Sequence, residues 1–120
     1  MSLKEKLYHY RATVINVVDG DTIDVDIDLG FGITKRERIR LYGVNAWEMR
    51  GEERFKGIQA KQFTTHLLLE QRVTLQTFYR KDPNDDATGK YGRLLAKIEI
   101  HGQDFGELLI EDGFARPATY

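Results

Sequence analysis

Between Thr22 and Leu29 the chain reads TIDVDIDL, an unbroken alternation with Ile23, Val25, Ile27 and Leu29 on one side and Asp24, Asp26 and Asp28 on the other. Side chains alternate faces with period two only in a strand, so this segment is a strand with one face in a core and one in water. The preceding run, RATVINVVD, is of similar character, and Asp19-Gly20 between the two is a turn or bulge signal. Downstream, GFGIT (Gly30 to Thr34) closes a hairpin into KRERIRLYGV. Across that hairpin Asp24, Asp26 and Asp28 are expected to pair with Arg36, Arg38 or Lys35 as a solvated strand face.

The rest of the chain alternates helix and strand. Phe55, Ala60, Phe63 and Leu67 fit one broad helical face, which predicts a helix from about Ile58 to about Leu69, with Gly57 weakening its first turn. RVTLQTFYR returns to strand, and the polar loop KDPNDDATGKYG (Lys81 to Gly92) is expected to be mobile. RLLAKIEI is a further strand, His101-Gly102 a turn, and DFGELLIEDGFARP a short helix with Asp104 and Glu107 as a capping pair, Gly113 as its stop and Pro117 beyond. Five strands with one helix after the third and another after the fifth fit a mainly β, α+β fold. The architecture expected is a five-stranded OB-type Greek-key barrel with two helices. At 120 residues the chain is expected to form a single domain over 1–120, with residues 1–9 a less ordered extension.

Composition narrows the chemistry. There is no cysteine, and His9, His66 and His101 are widely separated, so any metal here must be bound by oxygen. Eighteen basic against nineteen acidic residues give a net charge of −1, which argues against a broad grip on a polyanion and makes individual arginines matter. The N-terminal MSLKEKLYHY has no apolar run long enough for a signal peptide or a membrane span. As written, the chain is expected to be cytoplasmic, or secreted if a leader has been removed.

The carboxylates of DGDTIDVDID invite comparison with a calcium-binding EF-hand loop, which fails. Counting from Asp19 puts Ile23 at position five, and counting from Asp24 puts the glycine one place late and Lys35 at position twelve. Asp19 and Asp21 remain distinctive because they flank a glycine, and two carboxylates that close need a cation or guanidinium between them unless one of them caps the turn. Arg40 alone reads as a surface ion-pair partner, Glu48 as a solvated residue past a strand end, and Arg93 as the residue after a tight turn.

Taken together, VVDGDT at Val17 to Thr22, RLYGVNAWE at Arg40 to Glu48, GKYGR at Gly89 to Arg93 and ELLIEDGFA at Glu107 to Ala115 resemble the successive motifs of the staphylococcal nuclease (thermonuclease) family. The resemblance runs in order from about Tyr10 to Arg116 and implies an OB-like barrel carrying a calcium-dependent phosphodiesterase that acts on DNA and RNA. It implies Asp21 as a Ca2+ ligand, Asp19 as a carboxylate acting through metal-bound water, Glu48 as the base activating the attacking water, and Arg40 and Arg93 as the phosphate clamp. Lys90 and Tyr91 are implied as substrate contacts, Tyr91 by stacking on a base or touching a phosphate, with a packed turn tyrosine as its other reading. The implied partner is nucleic acid, with single strands favoured and the protein a monomer.

Three departures from that pattern matter. Where the family has Asp-Thr-Pro-Glu this chain has Asn45-Ala46-Trp47-Glu48, so a second ligand carboxylate becomes a neutral amide and calcium is expected to bind weakly. Ala46 retains only a main-chain carbonyl to offer, and Trp47 either packs under the loop or stacks on a base. The chain also stops at Tyr120, short of the family's further C-terminal helix. The alternative to a nuclease is a catalytically weakened module that binds nucleic acid or protein.

Overall fold

The computed structural model describes residues 8–78 and 94–118. The expected extension up to residue 7 and the loop Lys81 to Gly92 lie outside them. Strand β1 (His9–Asp19) begins inside the stretch expected to be less ordered. It pairs antiparallel with β2 (Thr22–Gly30), which pairs with β3 (Ile33–Leu41). Two register shifts in β1, between Val14 and Asn16 and between Val17 and Asp19, bend the strand as a small barrel requires.

The chain continues through β4 (Val44–Ala46), a 3-10 turn (Gly51–Glu53), helix α1 (Arg54–Leu68), β5 (Arg72–Gln76) and β6 (Leu94–Ile100). It ends with β7 (Gln103–Asp104), α2 (Phe105–Glu111) and β8 (Ala115–Pro117). β5 lies between β1 and β6, and β6 pairs in parallel with β3, placing Ile39 opposite Leu94 and Leu41 opposite Ala96. That pairing closes β1, β2, β3, β5 and β6 into a five-stranded barrel of the OB type, as expected. Closure removes the free strand edges that would otherwise recruit other chains.

The barrel is filled by the inward faces of its strands, among them Val14, Val25, Ile39, Leu75 and Ile98, all buried. Leu68 from α1 and Phe105 and Leu109 from α2 complete the core. Phe63 joins the two helices, its ring 6.1 Å from that of Phe105 and 4.7 Å from that of Phe114. Asp104 caps α2 as predicted, its Oδ1 accepting the Glu107 N–H at 3.1 Å.

Several sequence expectations are corrected. Leu29 is 44% exposed rather than in the core, because β1 accompanies β2 only as far as Asp28 and the hairpin then runs on alone, with Phe31 fully exposed at its tip. β3 ends at Leu41, not Val44: Gly43 takes a left-handed conformation (φ +85°), and Val44–Ala46 leaves to pair with β8. This ribbon, with Val44 opposite Pro117, makes Pro117 part of a strand rather than a mere helix stop.

The first helix starts at Arg54, about one turn before the predicted boundary, and its buried stripe is Gly57, Ala60, Thr64 and Leu68. Phe55 lies off that stripe and is 81% exposed. Gly57 belongs there for a steric reason. A Cβ at this position would fall 2.0 Å from the Glu48 carbonyl oxygen and 2.6 Å from the Met49 nitrogen, so only glycine lets the helix lie against that peptide.

Helix propensity alone would make Gly57→Ala stabilising by roughly 1 kcal/mol. The contact with Glu48 reverses the sign: the variant is expected to lose at least 1–3 kcal/mol, about the cost of overpacking a tight interface. Urea unfolding of the two proteins decides it, and a more stable alanine variant would mean that α1 does not press on the Glu48 peptide.

Candidate functional site

The turn between β1 and β2 is the floor of the site. Gly20 is wedged between β4 and α1, so that a Cβ there would meet Ala46 Cβ at 2.8 Å and Ala60 Cβ at 2.9 Å. The buried Thr64 hydroxyl donates to the Gly20 carbonyl at 2.8 Å and locks the turn to the helix. Asp19 caps the turn, its Oδ1 accepting the Asp21 N–H at 3.1 Å. Both sequence readings of this pair therefore hold: an Asx-type turn is present, and a guanidinium does sit beside Asp21.

Asp21 is held from three directions. The Thr22 hydroxyl donates to Oδ1 at 3.1 Å, the Ala46 N–H donates to Oδ2 at 2.8 Å, and Arg40 Nη2 lies 3.3 Å from the same oxygen. Burial, then the hydrogen bond and negative charge of Asp19, push the Asp21 carboxyl up to about 6, against the opposing pull of Arg40 and the Ala46 N–H. Arg40 and the Ala46 N–H thus only partly offset burial and the neighbouring Asp19 charge.

Arg40 faces Thr22 across the β2–β3 ladder. Its Nη1 donates to the carbonyls of Leu41 and Val44, both at 2.7 Å, and its Nη2 donates to Asn45 Oδ1. The side chain is 14% exposed and that of Asp21 10%, so the pair is largely buried rather than the surface bridge Arg40 alone suggested. Planar donors spread over two carbonyls and two side chains fix the guanidinium in one orientation. They also join the end of β3 to the start of β4, where the strand turns out of the barrel.

Asp19, Asp21, Arg40, Asn45 and Ala46 are therefore brought together by direct contacts. Trp47 stands to one side: its Nε1 donates to the Gly113 carbonyl at 2.7 Å and its backbone N–H to the Phe114 carbonyl at 3.2 Å. The ring is half-buried, with Lys56 Nζ 4.8 Å and Arg116 Cζ 5.3 Å from its centroid, so packing against the protein prevails over a free stacking face. Glu48 is exposed. Its N–H donates to Glu53 Oε2 at 3.0 Å, while its side chain makes no hydrogen bond or ion pair among the described residues. Lys90, Tyr91 and Arg93 lie outside the described residues.

The hairpin carboxylates behave as expected of a solvated face. Asp24 and Asp26 form two-pronged pairs with Arg38 and Arg36, closest approaches 2.8 and 2.9 Å, which hold both acids below the usual carboxylate range. Asp28 instead accepts the Gly30 N–H at 2.8 Å, and Lys35 pairs with Glu37 on its own strand at 2.8 Å, not across the hairpin. Exposed pairs of this kind contribute little stability.

Among the described residues no group of three or more His, Cys, Asp or Glu side chains converges as a metal cage. Asp19 and Asp21 do lie side by side, and Arg40 Nη2 links Asp21 to the Asn45 amide oxygen. Asp19, Asp21 and Asn45 each offer oxygen, the donor type a hard cation takes. Protein donors already occupy Asn45 Oδ1 and Asp21 Oδ2, so the set fits a weakly held ion.

Sequence reasoning missed the residues that position the site. Thr64 and Gly20 lock the turn, and Gly57 and Glu53 hold the Glu48 peptide. A glycine inside an otherwise regular helical pattern was the one available signal. Lys56 and Arg116 over Trp47 had none, since they lie on elements far apart in the chain.

The sequence model of the family described as staphylococcal nuclease homologue matches residues 38–120. The chain is 36% identical over 110 residues to the thermonuclease of Staphylococcus hyicus, and equally to that of Staphylococcus intermedius. Each alignment covers 89% of this chain and 59% of the relative, so the chain spans about three-fifths of the length of these relatives. With the family model across more than half its length and the Asp21–Arg40 cluster set in an OB-type barrel, the chain belongs to the staphylococcal nuclease family.

Proposed function

We propose that this protein is a metal-dependent nuclease, a calcium-dependent phosphodiesterase that hydrolyses DNA or RNA as a monomer and favours single strands. The observation that carries this reading is the oriented guanidinium of Arg40, buried beside the Asp21 carboxylate, in a chain that goes on to the exposed Glu48, whose side chain has no partner among the described residues. The thermonuclease relatives and the family match support the same reading.

In this reading Arg40 and Arg93 hold the non-bridging oxygens of the scissile phosphate. Both Nη groups of Arg40 are engaged by the protein, so the phosphate takes its Nε–H and competes with Asn45 for Nη2. Leu94, the residue after Arg93, pairs beside Ile39 at the start of the closing ladder, one position from the partner of Arg40. Glu48 takes a proton from the attacking water as its oxygen bonds to phosphorus and the ester bond to the leaving oxygen breaks. Negative charge builds on the phosphoryl oxygens, and paired guanidinium donors stabilise it.

Asp21, the Asn45 amide oxygen, the Ala46 main-chain carbonyl and, through water, Asp19 would hold Ca2+, which supplies charge neutralisation at the phosphate. Lys90 and Tyr91 contact the flanking strand. A net charge of −1 gives no broad basic face for a duplex, which favours a single strand bound through local contacts.

One observation favours a second reading, a module that binds nucleic acid or protein without cutting: Asn45 is neutral and its oxygen already serves Arg40. Cleavage of a labelled single-stranded DNA, with calcium and then with excess chelator, separates the two. The nuclease reading expects cutting that stops on chelation. Binding without cutting at every calcium concentration would leave the binding module.

A further inference from the structure

The β4–β8 ribbon carries an arrangement that the proposed chemistry does not use. Asn45 lies directly opposite Arg116 in the ladder, and Trp47 is two residues beyond Asn45. Opposed residues in an antiparallel pair, and residues two apart along a strand, share a face. Arg116 accordingly reaches the Trp47 ring, with its Cζ 5.3 Å from the centroid, and Lys56 arrives from the first turn of α1 with Nζ at 4.8 Å. The Trp47 Nε1 bond to the Gly113 carbonyl pins the ring, so the indole is a fixed floor beneath two cations.

Those cations lack the carboxylate partners that the arginines of the β2–β3 hairpin possess. Lys35, Arg36, Arg38 and Arg40 each have a carboxylate oxygen within 2.8 to 3.3 Å, whereas Lys56 and Arg116 have no acidic partner among the described residues. Both are exposed. A cation–π contact at an exposed site is worth roughly 0.5–1 kcal/mol, enough to orient a cation but not to neutralise it. Two exposed like charges, each within 5.3 Å of the same ring centroid, have the charge and the donors to take an anion. It shares a ribbon face with Asn45, whose amide oxygen accepts from Arg40.

We propose that Lys56 and Arg116, oriented by Trp47, form a second phosphate subsite that grips the phosphodiester adjoining the one held at Arg40. The direction of the strand rests on the nuclease reading above; the anion site itself does not. Trp47 serves here as the floor for the cations rather than as a stacking surface for a base.

The test is binding of a short fluorescent oligothymidylate, in chelator so that nothing is cut, to the wild type and to a Lys56→Gln/Arg116→Gln variant across a salt series. Both positions are exposed, and matched unfolding curves would verify the fold. The variant is expected to bind several-fold more weakly. Its plot of log affinity against log salt should be shallower by about 0.7, the slope that one neutralised phosphate contributes on a single strand. Affinity for a thymidine mononucleotide, which occupies only the Arg40 site, should not change, and Arg116→Lys should keep the wild-type slope.

Equal affinity and slope in the double variant would overturn the subsite, as would a wild type that does not bind the strand. If the variant loses binding while the wild type fails to cut with calcium, the subsite stands and the nuclease reading falls.

Discussion

Arg40→Met is expected to destabilise the protein by about 3 kcal/mol, the lower part of the range for removing one partner of a buried ion pair. The substitution keeps the apolar stem but strips the donors from the Leu41 and Val44 carbonyls and the counter-charge from Asp21. The loss stays near the lower figure because Asp21, already pushed up to about 6, can take a proton once the guanidinium is gone. Adding Asp21→Asn to Arg40→Met should therefore recover part of the stability.

Arg40→Lys should fall between, since one ammonium cannot span two carbonyls and two side chains as the planar fork does. Urea unfolding at neutral pH measures all three variants. A methionine variant within about 0.5 kcal/mol of wild type, the usual range for a surface change, would show that the cluster does not hold β3 to β4.

Glu48→Gln should do the opposite, lowering cleavage by roughly 10²–10⁴-fold, the usual contribution of a positioned general base, while leaving the unfolding curve within about 0.5 kcal/mol of wild type. The side chain is exposed and without a partner among the described residues, so little folding energy depends on its charge. What depends on the fold is its position. The Glu48 peptide is clamped between the Glu53 carboxylate and the helix surface opened by Gly57. Calcium-activated cleavage by the glutamine variant at the wild-type rate would remove Glu48 from the chemistry and leave the arginines and the cation to account for it.

These two substitutions separate roles that a sequence motif presents as one. Arg40 is engaged by two carbonyls and two side chains of the protein itself, and its proposed grip on a phosphate comes on top of that structural work. Glu48, exposed and without a side-chain partner among the described residues, is the more direct probe of the proposed mechanism.

What the sequence determined by itself was local. The β2–β3 hairpin, its Asp24–Arg38 and Asp26–Arg36 pairs, the Asp19-Gly20 turn and the Asp104 cap of α2 follow from period two, turn chemistry and capping, each of which acts over a few residues. The order of motifs likewise pointed to the family, which the family model supports, and it singled out Asp21, Arg40 and Asn45, which the fold sets in contact through Arg40.

Tertiary structure alone decided the rest. The β4–β8 ribbon joins three-residue strands too short to carry a period, and the β3–β6 pairing that closes the barrel joins segments more than fifty residues apart. Arg40 proved buried, Trp47 pinned beneath two cations, and Gly57 obligatory. Each outcome depends on atoms brought from distant parts of the chain, Gly113 against Trp47 and the Glu48 peptide against Gly57, and no local pattern encodes such meetings.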